Sequence, residues 1–116
     1  LLRRERFDIL HVHTPVAALV GRLAARMAGV PRVVYTAHGF YFHEHMPRWK
    51  YALFAALEWL GGRFTDTLFT QSEEDAATAK RLNLCRTGQV FAIGNGSDPA
   101  LFHPMPAAEA PFQRKP

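Results

Sequence analysis

The sequence predicts an α/β protein in which helices flank a parallel sheet. Three observations lead to this prediction. Segments typical of strands and of helices alternate along the chain in the order β-α-β-α-β-α-β. The connections between them are short, which favours parallel strands joined by right-handed crossovers. The second strand contains the apolar run Val33–Tyr35, which is typical of a parallel strand covered on both faces.

The first strand and helix are predicted from periodicity and from the residues at their ends. Phe7–His13 alternates apolar and polar residues, which indicates a strand, although the chain already enters this strand from its first residues. Thr14-Pro15 then begins a helix, with the Thr hydroxyl as its cap and proline at the first position. Gly29 ends it. One stripe of this helix is apolar: Val16, Leu19, Val20, Leu23 and Met27. Arg22 and Arg26 lie on another face.

A second strand, an irregular loop and a second helix follow. Pro31–Ala37 is the clearest strand, and Gly39–Pro47 is a loop rich in histidine and aromatic residues. Arg48–Leu60 is a helix that is apolar almost all round, and Gly61-Gly62 ends it. Four of its residues are predicted to lie in the core: Leu53, Phe54, Leu57 and Leu60.

The last predicted elements are two strands and the helix between them. The strands are Thr67–Thr70 and Val90–Ile93, and Ser72 caps the intervening helix, which has acidic residues in its first turn and basic residues in its last. From Pro104 the composition is that of a linker. We therefore expect one domain over residues 1–103 and a linker or tail over residues 104–116 that leads toward a further domain.

Composition excludes some classes of protein. The chain has 116 residues, 48% of them hydrophobic, and is typical of a soluble domain. Its net charge of +4 comes largely from arginine and lysine at the two ends, which does not favour nucleic-acid binding. The single Cys85 excludes an internal disulfide, and no window of about 20 apolar residues indicates a membrane span. The chain lacks an initiating Met and is interpreted as a fragment.

Topology predicts where a ligand binds. In open α/β sheets ligands bind at the carboxyl ends of the strands. Four polar or glycine-containing segments follow the predicted strands: His13-Thr14-Pro15, His38-Gly39-Phe40, Gln71-Ser72-Glu73 and Gly94-Asn95-Gly96. His38 directly follows the buried strand, and Gly39 lets the backbone approach a ligand closely. Its imidazole can donate a hydrogen bond to a sugar hydroxyl; a purely structural role for His38 is about equally consistent with this position.

Two other functions are open at this point. His11 and His13 share one strand face, a pattern that metal-dependent hydrolases use, although a metal site needs further ligands and His11 is expected to be buried in the sheet. Alternatively, the helix from Arg48, with Trp49, Lys50 and nearby aromatic residues, forms a membrane-surface or interaction module.

The motifs, taken in order, resemble the N-terminal domain of glycosyltransferase family 4. They are Asp8–Pro15, Gly21–Ala25, Val34–Phe40, Thr65-Asp66, Ser72–Asp75, Ile93–Asp98 and Phe102. Members of this family are bacterial enzymes of GT-B architecture, with two Rossmann-like domains, and many of them act in capsule or exopolysaccharide synthesis. The resemblance implies that this chain is an incomplete N-terminal half of such a fold. The family's first strand and its second domain have no counterpart in it, so the chain alone should not catalyse transfer.

The resemblance also implies a function. It is the retaining transfer of a sugar from a nucleotide diphosphate donor to a saccharide or lipid-linked acceptor, without metal or cofactor and without nucleic acid as a partner. The enzyme would be cytoplasmic, with peripheral contact at the inner face of the cell membrane. His38 is the expected catalytic residue. The expected substrate-binding residues are His13, Thr14, Gly39, Phe40, Ser72, Asn95 and Gly96.

Overall fold

A computed structural model of the chain describes residues 1–43 and 45–96. Over these residues the chain forms a parallel sheet with connecting helices. The elements, in chain order, are α1 (Leu2–Glu5), β1 (Ile9–His13), α2 (Pro15–Ala28), β2 (Arg32–Ala37), α3 (Arg48–Gly62), β3 (Thr67–Thr70), α4 (Glu73–Arg81) and β4 (Val90–Ala92). The predicted α/β class and the parallel, Rossmann-like arrangement are confirmed.

The four strands lie in the order β1-β2-β3-β4, and every neighbouring pair is parallel. His13 is opposite Thr36 in the β1–β2 register, and Ala37 is opposite Thr70 in the β2–β3 register. The carboxyl ends of the strands therefore meet at one edge of the sheet, which we call the carboxyl edge.

The described helices cover one face of this sheet. One core cluster joins Tyr35 and Leu68 of the sheet to Ala18 of α2 and Ala76 of α4, so both helices pack on the same face. Because side chains alternate along a strand, the intervening residues point to the opposite face. There the described residues leave several side chains exposed: Ile9, His11, His13, Phe91 and Ile93. We call this the open face. Of the β2 residues on this side, Val34 is half-buried and Thr36 is buried, which agrees with the prediction that this strand is covered on both faces.

Element boundaries differ from prediction mainly at the ends. Before β1 the chain forms the short helix α1 instead of running directly into a strand. Strand β1 begins at Ile9 rather than at Phe7. Gly61 and Gly62 belong to α3 and are buried, because glycine lets this helix approach its neighbours. The domain boundary predicted after residue 103 and the tail 104–116 lie outside the described residues.

Helix α2 packs on the sheet through small residues and an arginine, not through its apolar stripe. Ala18, Arg22 and Ala25 are its buried residues. A Cβ at Gly21 would lie 2.9 Å from Cγ1 of Val12, so the backbone of α2 approaches β1 closely. The predicted stripe is largely exposed at Val16, Val20, Leu23 and Met27.

Helix α3, like α2, exposes most of its large apolar side chains. Phe54 packs against the core, but Leu53, Leu57 and Leu60 are exposed, and the prediction that these three are core residues is wrong. The buried residues of α3 are Glu58 and the two glycines. Two neighbouring helices thus expose apolar side chains to their surroundings. In the described residues no helix combines the length and the apolar character needed to cross a membrane.

Candidate functional site

The carboxyl edge brings together three of the predicted polar segments. Strand β1 ends at His13, β2 is followed directly by His38, and β3 is followed directly by Gln71. The parallel register places these positions side by side. The prediction that topology gathers polar side chains at this edge is therefore correct for these three strands.

His38 is hydrogen-bonded on both sides. Its Nε2 lies 3.0 Å from Nδ1 of His13, and its Nδ1 lies 2.6 Å from Nε2 of Gln71. The rings of His13 and His38 stack with centroids 5.3 Å apart. We call these three side chains the His-Gln row. Although its members are partly or largely exposed, the row holds His38 in a defined orientation.

The turn after His38 forms one wall of a cleft. Gly39 adopts a φ of 121°, which L-residues with a side chain rarely reach, so a glycine is needed at this turn. Phe40 and Phe42 then stack with ring centroids 5.0 Å apart. The adjoining cleft has a volume of about 310 Å³ and reaches Ser72 on the opposite side. Gly39, Phe40 and Ser72, which are predicted binding residues, therefore line one space.

Ser72 is a helix cap, as predicted. Its Oγ accepts a hydrogen bond from the backbone N–H of Asp75 at 3.0 Å. Thr70 fixes the same turn by donating its hydroxyl to the carbonyl oxygen of Ser72 at 3.0 Å. The first of these bonds satisfies a free N–H donor at the start of α4. The substrate-binding role of Ser72 stays a prediction.

Thr14 does not cap α2 in the predicted way. Its hydroxyl makes no capping hydrogen bond to the helix, although its carbonyl oxygen accepts from the N–H of Ala18. Its backbone has φ 61° and ψ 136°, an unfavourable conformation for a β-branched residue. Such strain costs on the order of 1–3 kcal/mol and is commonest at functional sites. The chain thus turns sharply at the carboxyl edge between His13 and Pro15.

Asn95 and Gly96 follow β4 and are exposed. Because β4 is parallel to β3, these residues leave the sheet at the carboxyl edge. Among the described residues, neither of them forms a hydrogen bond with the His-Gln row. Their predicted role in binding stays a prediction, and the continuation of that turn, Ser97-Asp98, lies outside the described residues.

His11 lies on the open face and is exposed, so the prediction that it is buried in the sheet is wrong. Its ring lies 4.4 Å from that of His13, as expected for residues two apart on one strand. Its Nε2 is 2.8 Å from Oγ1 of Thr36. Although the side chain is exposed, desolvation of its buried part lowers the pKa of His11, and the neighbouring His13 lowers it further.

No group of three metal-ligating side chains lies together in residues 1–43 and 45–96. One ring nitrogen of His11 and one of His13 are engaged by Thr36 and His38, so the pair is built into the hydrogen bonds of the edge. The expectation that the enzyme needs no metal or cofactor stays a prediction.

Comparison with known proteins identifies the family to which this chain belongs. Residues 1–96 match the family described as "Glycosyl transferase 4-like domain". The chain is a member of that family. The resemblance read from the ordered motifs is therefore confirmed.

Two curated relatives share a large part of this glycosyltransferase 4-like chain. A Bacillus subtilis (strain 168) protein named "Putative glycosyltransferase EpsD" is 43% identical over 93 residues, which cover 76% of this chain and 24% of that protein. The Escherichia coli "UDP-Gal:alpha-D-GlcNAc-diphosphoundecaprenol alpha-1,3-galactosyltransferase" is 34% identical over 104 residues, which cover 90% of this chain and 27% of that protein. The chain thus spans about a quarter of the length of each.

Behind the edge, this glycosyltransferase 4-like chain contains a buried ion pair that the sequence did not predict. Nη2 of Arg22 lies 3.3 Å from Oε2 of Glu58, and both side chains are almost fully buried. The hydroxyl of Tyr35 donates to Oε1 of Glu58 at 3.1 Å, and the guanidinium lies 4.2 Å from the centre of the Tyr35 ring. Burial raises the pKa of Glu58 and that of Tyr35. One signal was available, since Glu58 is the single acidic residue in a largely apolar helix.

This ion pair forms the floor of an apolar pocket between α2 and α3. The pocket has a volume of about 160 Å³. Apolar and aromatic side chains form its walls: Pro15, Val16, Leu19, Tyr41, Phe42, Phe54 and Leu57. Arg22 and Glu58 are already hydrogen-bonded to each other and to their neighbours. The pocket therefore presents mainly hydrocarbon to anything that enters it. Pro15, two residues after His13, is one of its lining residues.

Proposed function

We propose that the protein carrying this chain is a retaining glycosyltransferase. It would transfer a sugar from a nucleotide diphosphate donor to a hydroxyl group of a lipid-linked saccharide, in the synthesis of a bacterial cell-surface polysaccharide or glycolipid. The observation that carries this proposal is the position of His38. It follows a buried strand at the carboxyl edge of a glycosyltransferase 4-like domain and is held between His13 and Gln71 beside an open cleft.

In the proposed reaction the bond between the anomeric carbon and the phosphate oxygen breaks. The nucleoside diphosphate leaves with that electron pair, and a bond forms from the acceptor oxygen to the anomeric carbon on the same face of the sugar. The hydroxyl proton of the acceptor passes to the phosphate oxygen that leaves. Polar groups fixed in advance lower the barrier because they need not reorganise as charge develops. His38 and His13 would supply such groups on this side of the reacting sugar.

The acceptor is proposed to enter along the cleft beside Gly39. The stacked Phe40 and Phe42 offer aromatic surface, and Ser72 and Asp75 offer polar atoms on the opposite side. A saccharide presents both hydroxyl groups and apolar C–H faces, so a cleft with one aromatic and one polar wall matches its chemistry. Its volume of about 310 Å³ is at the lower end of the range for small-molecule sites.

A lipid carrier on the acceptor accounts for the exposed apolar side chains of α2 and α3. Val16 and Leu57 border the apolar pocket, and Trp49 and Leu53 are exposed on α3, which also carries Arg48 and Lys50. Exposed apolar and aromatic residues together with basic residues favour contact with an anionic membrane surface. The name of the E. coli relative includes a diphosphoundecaprenol-linked acceptor. We infer peripheral contact of the protein with the inner face of the cell membrane.

The reaction is tested with the whole protein, a panel of nucleotide diphosphate sugars and lipid-linked saccharides. Transfer with retained anomeric configuration is expected, and His38→Ala should lower kcat ~10²–10³-fold, as for the loss of one preorganised donor. The control is Gln89→Ala, at the opposite end of the sheet. Failure of the wild-type protein to transfer any sugar, or inversion at the anomeric carbon, would refute the proposal. Equal losses of thermal stability and activity would make His38 a structural residue.

Membrane contact is tested by flotation with anionic and with neutral vesicles. The whole protein should float with anionic vesicles at low salt and dissociate at high salt, because screening weakens contacts made by basic residues. Leu53→Glu should reduce flotation, whereas Ala77→Glu, exposed on α4, should not. Equal flotation of both variants would argue against contact through α3.

A further inference from the structure

The chemistry of an amide restricts the hydrogen atoms in the His-Gln row. The group of Gln71 that faces His38 is the amide nitrogen, 2.6 Å from Nδ1. An amide nitrogen donates hydrogen bonds and does not accept them. In this orientation of the amide, Nδ1 of His38 is the acceptor and carries no hydrogen. In the neutral ring, the hydrogen is then on Nε2.

The restriction passes from His38 to His13. Since Nε2 of His38 carries hydrogen, it donates to Nδ1 of His13, 3.0 Å away. Nδ1 of His13 is the acceptor, so the neutral ring of His13 carries its hydrogen on Nε2. Among the described residues this Nε2 has no hydrogen-bond partner, and the His13 side chain is exposed. The row thus ends in an N–H group that is available to a ligand.

We propose that Gln71 is a positioning residue that selects the Nε2–H tautomer of both histidines, so that His13 presents a hydrogen-bond donor to the substrate. The functional part of this inference rests on the proposed glycosyl transfer. An oxygen of the donor sugar or of its diphosphate is the chemical group that a neutral N–H donor fits. Gln71 itself need not touch the substrate, because it acts through His38.

The opposite arrangement shows why the identity of residue 71 matters. A side chain that only accepts would require hydrogen on Nδ1 of His38. In neutral rings, Nε2 of His38 would then accept from Nδ1 of His13, and the outward Nε2 of His13 would carry a lone pair instead of hydrogen. The same two rings would present an acceptor to the sugar or diphosphate oxygens. The orientation of the Gln71 amide, with its nitrogen rather than its oxygen toward His38, thus decides the polarity of the whole row.

Gln71→Glu replaces the donor by an acceptor, because both carboxylate oxygens only accept hydrogen bonds. The shape of the side chain is almost unchanged. Gln71→Met keeps a similar length and removes the hydrogen bond. Gln89→Glu is the matched control, since Gln89 bonds Thr67 at the opposite end of β3 and does not contact the row. The three variants separate the polarity of residue 71, the presence of its hydrogen bond and the addition of a negative charge.

The primary measurement is the nitrogen NMR spectrum of the histidine rings in the whole protein, labelled with ¹⁵N-histidine. The signals of His13 and His38 are assigned from the spectra of His13→Gln and His38→Gln. We expect the Nε2–H form for both residues in the wild type and in Gln89→Glu, hydrogen on Nδ1 of His38 in Gln71→Glu, and a mixture in Gln71→Met. Hydrogen on Nδ1 of His38 in the wild type, or no change in Gln71→Glu, would overturn the inference.

The second measurement is steady-state transfer at a fixed pH. Gln71→Glu should lower kcat ~10²-fold, the scale of one lost preorganised donor, and Gln71→Met should lower it less. Thermal unfolding should be similar in all variants, because the row is largely exposed. A wild type that shows the expected tautomers and transfers no sugar would refute the proposed function and leave the tautomer assignment intact. Transfer without the expected tautomers would refute the assignment alone.

Discussion

Arg22→Met tests how much the buried ion pair contributes to stability. At 3.3 Å, two unit charges attract each other by about 5 kcal/mol at an effective dielectric constant of about 20. Desolvation of both groups offsets much of this attraction in the native protein. Removing only the guanidinium leaves the carboxylate of Glu58 buried, with the Tyr35 hydroxyl as its remaining donor. The expected loss is about 3–5 kcal/mol, the usual cost of breaking a buried pair.

The assay is urea unfolding of the whole protein, with Arg26→Met as the matched control on the same helix. Arg26 pairs with Asp66 in a more exposed position, and Asp66 keeps Arg86 as a second partner. The control should therefore lose much less stability. The double variant Arg22→Met, Glu58→Gln should lose less than the sum of its single variants, because no buried charge remains.

The change of the free energy of unfolding with pH provides a second test in the same experiment. Burial raises the pKa of Glu58 above its ordinary value of 4.5, so the folded protein binds this proton more tightly than the unfolded chain does. The contribution of Glu58 to stability therefore falls as pH rises through the window above 4.5. In Arg22→Met this fall should be steeper, and Glu58→Gln should abolish it. A loss below about 1 kcal/mol for Arg22→Met, independent of pH, would refute the reasoning.

Two further predictions concern packing and acid stability. In Gly62→Ala the added methyl group would overlap the backbone of Leu84, so the melting temperature should fall by an amount equivalent to about 1–3 kcal/mol. Gly96→Ala should leave it unchanged, because no atom of the described residues lies within 4 Å of the added Cβ. Although burial opposes the effect, the N–H of Val33 and two arginines lower the pKa of Asp66 below 3.8. Its contribution is thus present above pH 3.8 and lost as pH falls through the lowered pKa; acid titration of unfolding should show this loss in the wild type but not in Asp66→Asn.

The carboxyl edge could be predicted because it depends on topology. Alternating elements with short connections leave few arrangements other than a parallel sheet, and parallel strands place their following residues at one edge. His13, His38 and Gln71 are adjacent for that reason. Their individual hydrogen bonds could not be predicted, because each depends on side-chain angles that the sequence pattern does not determine.

The packing face of α3 was predicted wrongly, and the apolar stripe of α2 is not its packing face, because periodicity identifies a face but not what covers it. Helix α2 has an apolar stripe, and it also has small residues at Ala18, Gly21 and Ala25. The small residues face the sheet, because they allow the closest approach of helix and strand. Their spacing of three and four residues was a readable signal. The burial of Arg22 on the same side could not be predicted from this spacing, since a buried arginine requires a charged partner and that partner, Glu58, lies on another helix.

The alternation of side chains along β1 links the fold to the candidate site. Leu10 and Val12 point toward the helices, so His11 and His13 point to the open face. His38 lies two residues beyond Thr36, the register partner of His13, and therefore approaches His13 on the same side of the sheet. A shift of β1 by one residue would exchange its two faces, bury both histidines against α2 and expose Val12. The hydrophobic contacts that hold β1 in register are therefore also what keeps the N–H of His13 at the carboxyl edge, and any change that weakens packing under β1 should disturb the His-Gln row before it unfolds the domain.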